Sequence, residues 1–291
     1  MVDSNYLKNS NLNWLVKLKS VYDTLKSAER KAADLLLTNP KALADLSITD
    51  AARTAGCSEA TFVRLAKKIG YKGYHQLRGA IEDSTGTKEI SLYPNLCEND
   101  QSPELLKKVF SASVRTIQDT LNIIDIRQYE AAVEALSRAN KIAFFAIGDA
   151  SSVALSGYYK FIRIGLNCSF FADPDYSLIS SVYLKPGDAA VAISYSGETA
   201  NVVEAIKKSK EAGAATIAIT NFPLSPLAKE SKIILQTAAF AHHLDGELMA
   251  HRVTQLCILE SLYVAVFLKR KQEIEQLMPK VDEALKSSKL K

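Results

Sequence analysis

Two stretches of this 291-residue chain gather small and hydroxyl-bearing residues around a glycine: Gly148-Asp149-Ala150-Ser151-Ser152 and Ser194-Tyr195-Ser196-Gly197-Glu198-Thr199. Each follows an apolar run and precedes a helical pattern. A loop so placed offers free backbone amides, a favourable helix dipole, close backbone approach and extra hydroxyl donors, which is what a phosphate group requires. The competing explanation is an ordinary capped helix, because Ser and Thr cap helices routinely. Neither loop has a lysine and GxxxxGK[ST] is absent, so nothing here reproduces a nucleotide P-loop. A third group is His242-His243, followed at helical spacing by Glu247 and His251. HHLDGE is not HExxH, and adjacent histidines in a strand point to opposite faces. These residues are expected to cap, pack or touch a ligand rather than catalyse, with Glu247 nearest a ligand hydroxyl. No metal and no cofactor is expected.

The segment Ile48–Arg78 carries a different chemistry. Two short helices crossing at a wide angle need a tight turn, a small residue at the crossing and an apolar inner set. Gly56 supplies the turn through a left-handed backbone, and Ala52 is the small residue. Ala51, Ala55, Cys57, Phe62 and Leu65 have the spacing of the inner set. The second helix then presents Ser58, Glu59, Ala60, Val63, Arg64 and Lys67 on its outer face, with Thr61, Lys68 and Lys72 as further DNA-contact candidates close by. Such a helix fits a DNA major groove, with its N-terminal residues at base edges. Arg64 suits a bidentate guanine contact, whereas Ser58, Lys67, Lys68 and Lys72 suit phosphates. A plain helical hairpin with a solvated basic face would also satisfy the spacing. The run Lys67-Lys68-Ile69-Gly70-Tyr71-Lys72-Gly73-Tyr74 would be odd in one.

Charge placement agrees with the DNA reading. Residues 1–85 hold 13 Lys and Arg against 9 Asp and Glu, whereas residues 86–291 hold 23 of each. All the excess positive charge therefore lies in the first third, where a phosphate-backbone partner would explain it.

Positioning these groups takes two domains, the natural prior for this length. Residues 12–85 read as successive helices, one opening at Ser27 as N-cap and ending at Asn39-Pro40. Residues 86–103 lose all periodicity and are read as a linker, so the domains are 1–85 and 104–291. Beyond it come helices from about 104 and from about Arg127 to Arg138. Five apolar runs then alternate with helical segments: Lys141–Ile147, Cys168–Ala172, Asp188–Ser194, Ala215–Thr220 and Lys232–Gln236. That alternation predicts an α/β three-layer domain with a five-stranded parallel sheet. In a flavodoxin-like 2-1-3-4-5 order, the ligand crevice falls between strands 1 and 3, where both hydroxyl-rich loops sit. The stretch Cys257–Leu268 is short and interrupted by Glu260, so it reads as a core helix and not a membrane span. Scattered cysteines and the absence of a signal-like N-terminus predict a soluble, cytoplasmic protein.

SAERKAADLLLTNPKAL (Ser27–Leu43), followed by SITDAARTAGCSEATFVRLAKKIGYKGYHQLR, closely resembles the N-terminal domain of RpiR-type (MurR/RpiR) regulators. SxSGxT with VVEAIKKSKEAGAATIAIT (Val202–Thr220) resembles the sugar isomerase (SIS) domain, which binds phosphosugars. The resemblance covers almost the whole chain. It implies a helix-turn-helix regulator of sugar-catabolic genes, a homodimer or homotetramer on double-stranded operator DNA, controlled by a sugar or amino-sugar phosphate. It implies further that Ser194, Ser196 and Thr199 hold the phosphate, assisted by the Gly197 and Glu198 amides. The first loop departs from the family's GxGxS, with Ala150 at the serine position. Either Ser151, with Ser152 next to it, substitutes after a small backbone shift, or this loop contacts the sugar differently. Asp149 would repel a dianion and is expected to point away or to take a sugar hydroxyl. Two other readings remain open: a phosphosugar aldose–ketose isomerase with a helical dimerisation domain, and a DNA-binding protein whose α/β domain is only an oligomerisation scaffold.

Overall fold

The computed structural model describes residues 14, 17–18, 21–22, 25–40, 43, 46–85, 100–238 and 250–286. The chain divides into two compact units, residues 1–123 with 238–248 and residues 124–237 with 249–291.

The helical unit contains α1 (Ser27–Thr38), α2 (Ile48–Ala55), α3 (Glu59–Lys68), α4 (Tyr74–Thr85) and α5 (Ser102–Ile123). Trp14, Leu36, Phe62, Leu65, Leu77 and Ile81 fill its core, with Phe62 edge-on to Tyr74 at 5.4 Å between ring centres. Ser47 caps α2 by accepting from the Asp50 amide, and its own hydroxyl donates to the Asp50 carboxylate at 2.6 Å. Ser27 does not take the capping position expected of it. Lys26 does, because Glu29 reaches back to accept from the Lys26 amide at 3.0 Å and closes the helix start from the third position. The second domain was expected to begin at 104, yet α5 sorts with the helical unit. Its Ala112, Thr116, Asp119 and Thr120 are buried, and the Thr120 hydroxyl accepts from the Ala238 amide at 3.0 Å.

The second unit is a parallel sheet in the order β2-β1-β3-β4-β5, covered on both faces. Its strands are β1 (Ile142–Phe145), β2 (Cys168–Phe170), β3 (Ala189–Ile193), β4 (Ala215–Thr220) and β5 (Ile233–Gln236). On one face, Ile142, Phe144, Val191, Ile193, Ile217 and Ile219 meet α6 (Ile126–Arg138), α7 (Ser151–Arg163) and α11 (Ala250–Lys269). On the other, Ala143, Ala190, Ala192 and Ala218 meet α8 (Pro174–Val182), α9 (Ala200–Glu211) and α10 (Pro226–Glu230). Alternation along each strand thus puts larger side chains on one face and mostly alanine on the other, where α9 lies. A final helix, α12 (Lys271–Leu285), buries Ile274.

By length and composition α11 could cross a membrane. Here Ile258, Leu259, Leu262 and Val266 are buried in the sheet's larger core, and Glu260 pairs with Lys160 at 2.7 Å. Only one side of it is core, however: Leu256, Val264 and Leu268 are exposed.

Candidate functional site: a recognition helix and a crevice at the sheet's switch point

The α2–α3 connection is set by one backbone angle. Gly56 has φ +63°, in the left-handed region, and a Cβ there would meet no atom within 4 Å. Glycine is required by the dihedral and not by space. The turn closes with the Cys57 amide donating to the Ala52 carbonyl at 3.0 Å, the six-to-one bond of a Schellman ending. Ala51, Ala52, Phe62 and Leu65 are buried, whereas Ala55 and Cys57 are half-buried against them.

With that inner row fixed, Ser58, Glu59, Ala60, Arg64, Lys67 and Lys72 are exposed. Thr61 differs from expectation: it is buried, so it cannot meet a base edge. Its hydroxyl instead lies 2.9 Å from that of Ser58 and accepts from Arg64 Nη2 at 3.3 Å. Thr61 therefore orients two outward groups from beneath. Glu59 accepts from the Thr49 hydroxyl at 2.7 Å, which ties the start of α3 to α2. Lys68 is half-buried and pairs with Glu29 at 3.3 Å, so much of its charge is spent inside the unit. Burial raises the Glu29 carboxyl, but the Lys26 amide and the Lys68 ammonium outweigh that and hold it below the usual range.

In the α/β unit, β1 runs into α7 on one face of the sheet and β3 into α9 on the other. The loops after these neighbouring strands flank the point where the winding reverses, which is where ligands bind in open α/β sheets. The loop after β3 is held from beneath. Ser194 is buried; its hydroxyl accepts from the Gly197 amide and approaches Thr199 Oγ1, both at 3.1 Å. Ser196 Oγ accepts from the Glu198 amide at 3.2 Å. Two donors below, the Asn221 amide at 3.1 Å and Thr220 Oγ1 at 3.2 Å, fix the Tyr195 carbonyl. Gly197 has φ +66°, and a Cβ on it would fall 2.1 Å from Ser225 Oγ. Ser225 in turn caps α10, whose first residue is Pro226. The 220–225 connection after β4 therefore supports, from beneath, a loop of amides and hydroxyls at the start of α9.

The loop after β1 is built differently. It turns through Gly148–Ala150, a single 3-10 turn, into α7. Ser151 donates to the Ala146 carbonyl at 3.2 Å and Ser152 to the Asp149 carbonyl at 2.9 Å. Both hydroxyl protons are thus spent on backbone. Asp149 turns toward α11: it accepts from His251 Nε2 at 3.2 Å and is paired with Arg252. The ring of His251 also lies 5.2 Å from that of Tyr195 in the other loop.

Spacing alone missed Arg252, Tyr195, Thr220 and Ser225. Only the SerPro pair at 225–226 had a readable signal, that of a helix start. Of the histidine group, His251 reaches the crevice, while His242, His243 and Glu247 lie outside the described residues.

A helix-turn-helix unit and a doubly wound sheet with its hydroxyl-rich loop at the switch point define a class: a DNA-binding head joined to a SIS domain. Residues 12–88 match the helix-turn-helix domain of the rpiR family, and residues 135–265 match the SIS domain. A HTH-type transcriptional regulator of Caldanaerobacter subterraneus is 32% identical, with 95% of this chain and 98% of that protein covered. HexR of Pseudomonas aeruginosa, also an HTH-type transcriptional regulator, is 30% identical over 94% of this chain and 95% of its own. Among solved structures, the Vibrio vulnificus NanR protein complexed with ManNAc-6P matches with a TM-score of 0.61 and 27% identity, covering 96% of this chain and 100% of that one. The chain belongs to the RpiR family of HTH-type transcriptional regulators.

Proposed function

We propose that this regulator binds operator DNA through α3 and is controlled by a sugar or amino-sugar phosphate held in the crevice between the β1 and β3 loops. The observation that carries the effector half is the Ser194–Thr199 loop. Its hydroxyls and amides are pre-organised at a helix N-terminus, where a phosphate gains from both donors and dipole. The similar NanR protein, solved with ManNAc-6P, supports the same ligand class. Ser194, Ser196, Gly197, Glu198 and Thr199 take the phosphate, while Ser151 and Ser152 face the sugar. On the DNA side, Arg64 reads a base, and Ser58, Lys67 and Lys72 meet phosphates, with Glu59 and Ala60 alongside, while Lys68 is held by Glu29.

The protein acts as a binding switch and not as an enzyme, works in the cytoplasm, and pairs at least as a homodimer. The DNA-binding head takes residues 1–85, and the effector site lies past the 86–103 linker, within 104–291. A dimer presents two recognition helices to half-sites about one helical turn apart. The effector acts by binding one arrangement of the subunits better than the other. A thermal-shift screen across hexose and amino-sugar phosphates tests the reading, because a ligand that binds only the native state must raise its stability. A phosphosugar that shifts the melting and is recovered unchanged supports it. Turnover to the isomeric sugar phosphate would overturn it.

A further inference from the structure

Asp149 is the residue of the β1 loop that phosphate binding does not explain. Its carboxylate is held by two side chains from the start of α11, His251 Nε2 and Arg252 Nη1. His251 also touches the β3 loop through Tyr195. The ion pair therefore lies where both crevice loops meet α11. Its members are unequally embedded: the Asp149 side chain is 54% exposed, against 25% for Arg252 and 15% for His251. Arg252 and His251 are part of the wall, and the Asp149 carboxylate approaches them from the solvent side. Arg252 Nε is buried with no hydrogen-bond partner among the described residues. One turn along, the fully buried Gln255 amide has no partner at either end among them. The guanidinium thus keeps donor capacity that Asp149 does not use.

We propose that Arg252, with His251 beside it, is an anion-binding point of the crevice, and that Asp149 is its resident competitor, displaced when an anionic group of the effector arrives. This rests on the phosphosugar reading given above and deepens it. A largely buried guanidinium is costly without a counter-charge. In the empty crevice, the carboxylate of the 3-10 turn supplies one. An incoming phosphosugar would be repelled by that carboxylate at close range unless the two exchange places on Arg252. A neutral hydroxyl competes poorly with a tethered carboxylate, whose effective concentration is high, whereas a second anion forms equally charge-assisted hydrogen bonds. Arg252 therefore selects effectors by negative charge. That charge is either the phosphate itself or a carboxylate on the sugar.

Calorimetric titration of the full chain with glucose 6-phosphate and with 6-phosphogluconate tests this. The proteins are wild type, Asp149→Asn, Asp149→Ser, Arg252→Gln and the Asp149→Asn/Arg252→Gln double variant, each checked for a native melting transition. Removing the competitor is expected to tighten binding of at least one compound by roughly three- to tenfold. Arg252→Gln weakens it, and adding Asp149→Asn to Arg252→Gln brings no further gain. A gain shared by both compounds assigns the displaced position to phosphate; a gain confined to 6-phosphogluconate assigns it to carboxylate. Unchanged or weaker binding in both Asp149 variants overturns the inference, as does a gain that survives loss of Arg252. If Ser196→Ala abolishes binding while the Asp149 variants behave as wild type, the inference fails and the crevice reading stands. No binding of either compound by wild type and Asp149→Asn also overturns the inference, and the crevice reading then depends on the wider phosphosugar screen.

Discussion

Arg64 leaves α3 exposed while its guanidinium rests on a buried hydroxyl, that of Thr61 at 3.3 Å. A long side chain oriented from below loses less entropy on meeting a guanine edge. Arg64→Ala is expected to cost about 1–3 kcal/mol of operator affinity and to relax preference at one base pair, read by titrating fluorescent operator variants. Lys67→Ala should weaken binding to all sequences alike and flatten the dependence on salt, because a phosphate contact carries no sequence information. In the other unit, Ser196→Ala should leave operator affinity intact and blunt the response to phosphosugar. A full response in that variant counts against the phosphate loop. The exposed places of Arg64 and Lys67 on α3 were legible from sequence because residue types and spacing are local. Thr61 was not: its place on the buried side depends on the small angular offset between neighbouring helix positions, which α2 packing resolves. Arg252 was not either, since 103 residues separate it from Asp149 and only the fold brings the pair together.

Elements carry a second set of consequences. Gly56 ends α2 in a left-handed conformation with open space around it. Gly56→Ala should therefore destabilise by about 1–2 kcal/mol through backbone strain alone, without a clash, measured by urea unfolding. Gly197 combines a positive φ with a Cβ that would collide with Ser225, so Gly197→Ala should distort the β3 loop and abolish phosphosugar binding. Glu29 closes the start of α1 and neutralises Lys68 on α3. Because its folded carboxyl sits below the unfolded value, its stabilisation is present above the unfolded pKa of about 4.3 and is lost as pH falls through the folded value. Glu29→Gln should thus be less stable than wild type at pH 7, with the gap shrinking under acid. A constant gap from pH 7 to pH 3 would remove the ion pair and cap from the account. Strand order and the parallel sheet were predictable because each buried run alternates with a helix. The cap at Lys26 was not, since lysine has no capping oxygen and the acid three residues later does the work.

For the whole molecule, the excess positive charge lies in residues 1–85, around the recognition helix, whereas residues 86–291 carry equal numbers of both signs. Operator affinity should accordingly fall steeply with ionic strength, whereas phosphosugar affinity should depend on it far less. The central claim is that the crevice and the recognition helix belong to one thermodynamic switch. It is tested most directly by measuring operator affinity by fluorescence anisotropy, with and without a phosphosugar that raises the melting temperature. The expected result is a change of fivefold or more, on the order of 1 kcal/mol of coupling, in wild type and none in Ser196→Ala. Operator affinity that stays fixed while the same phosphosugar saturates the protein would contradict the account.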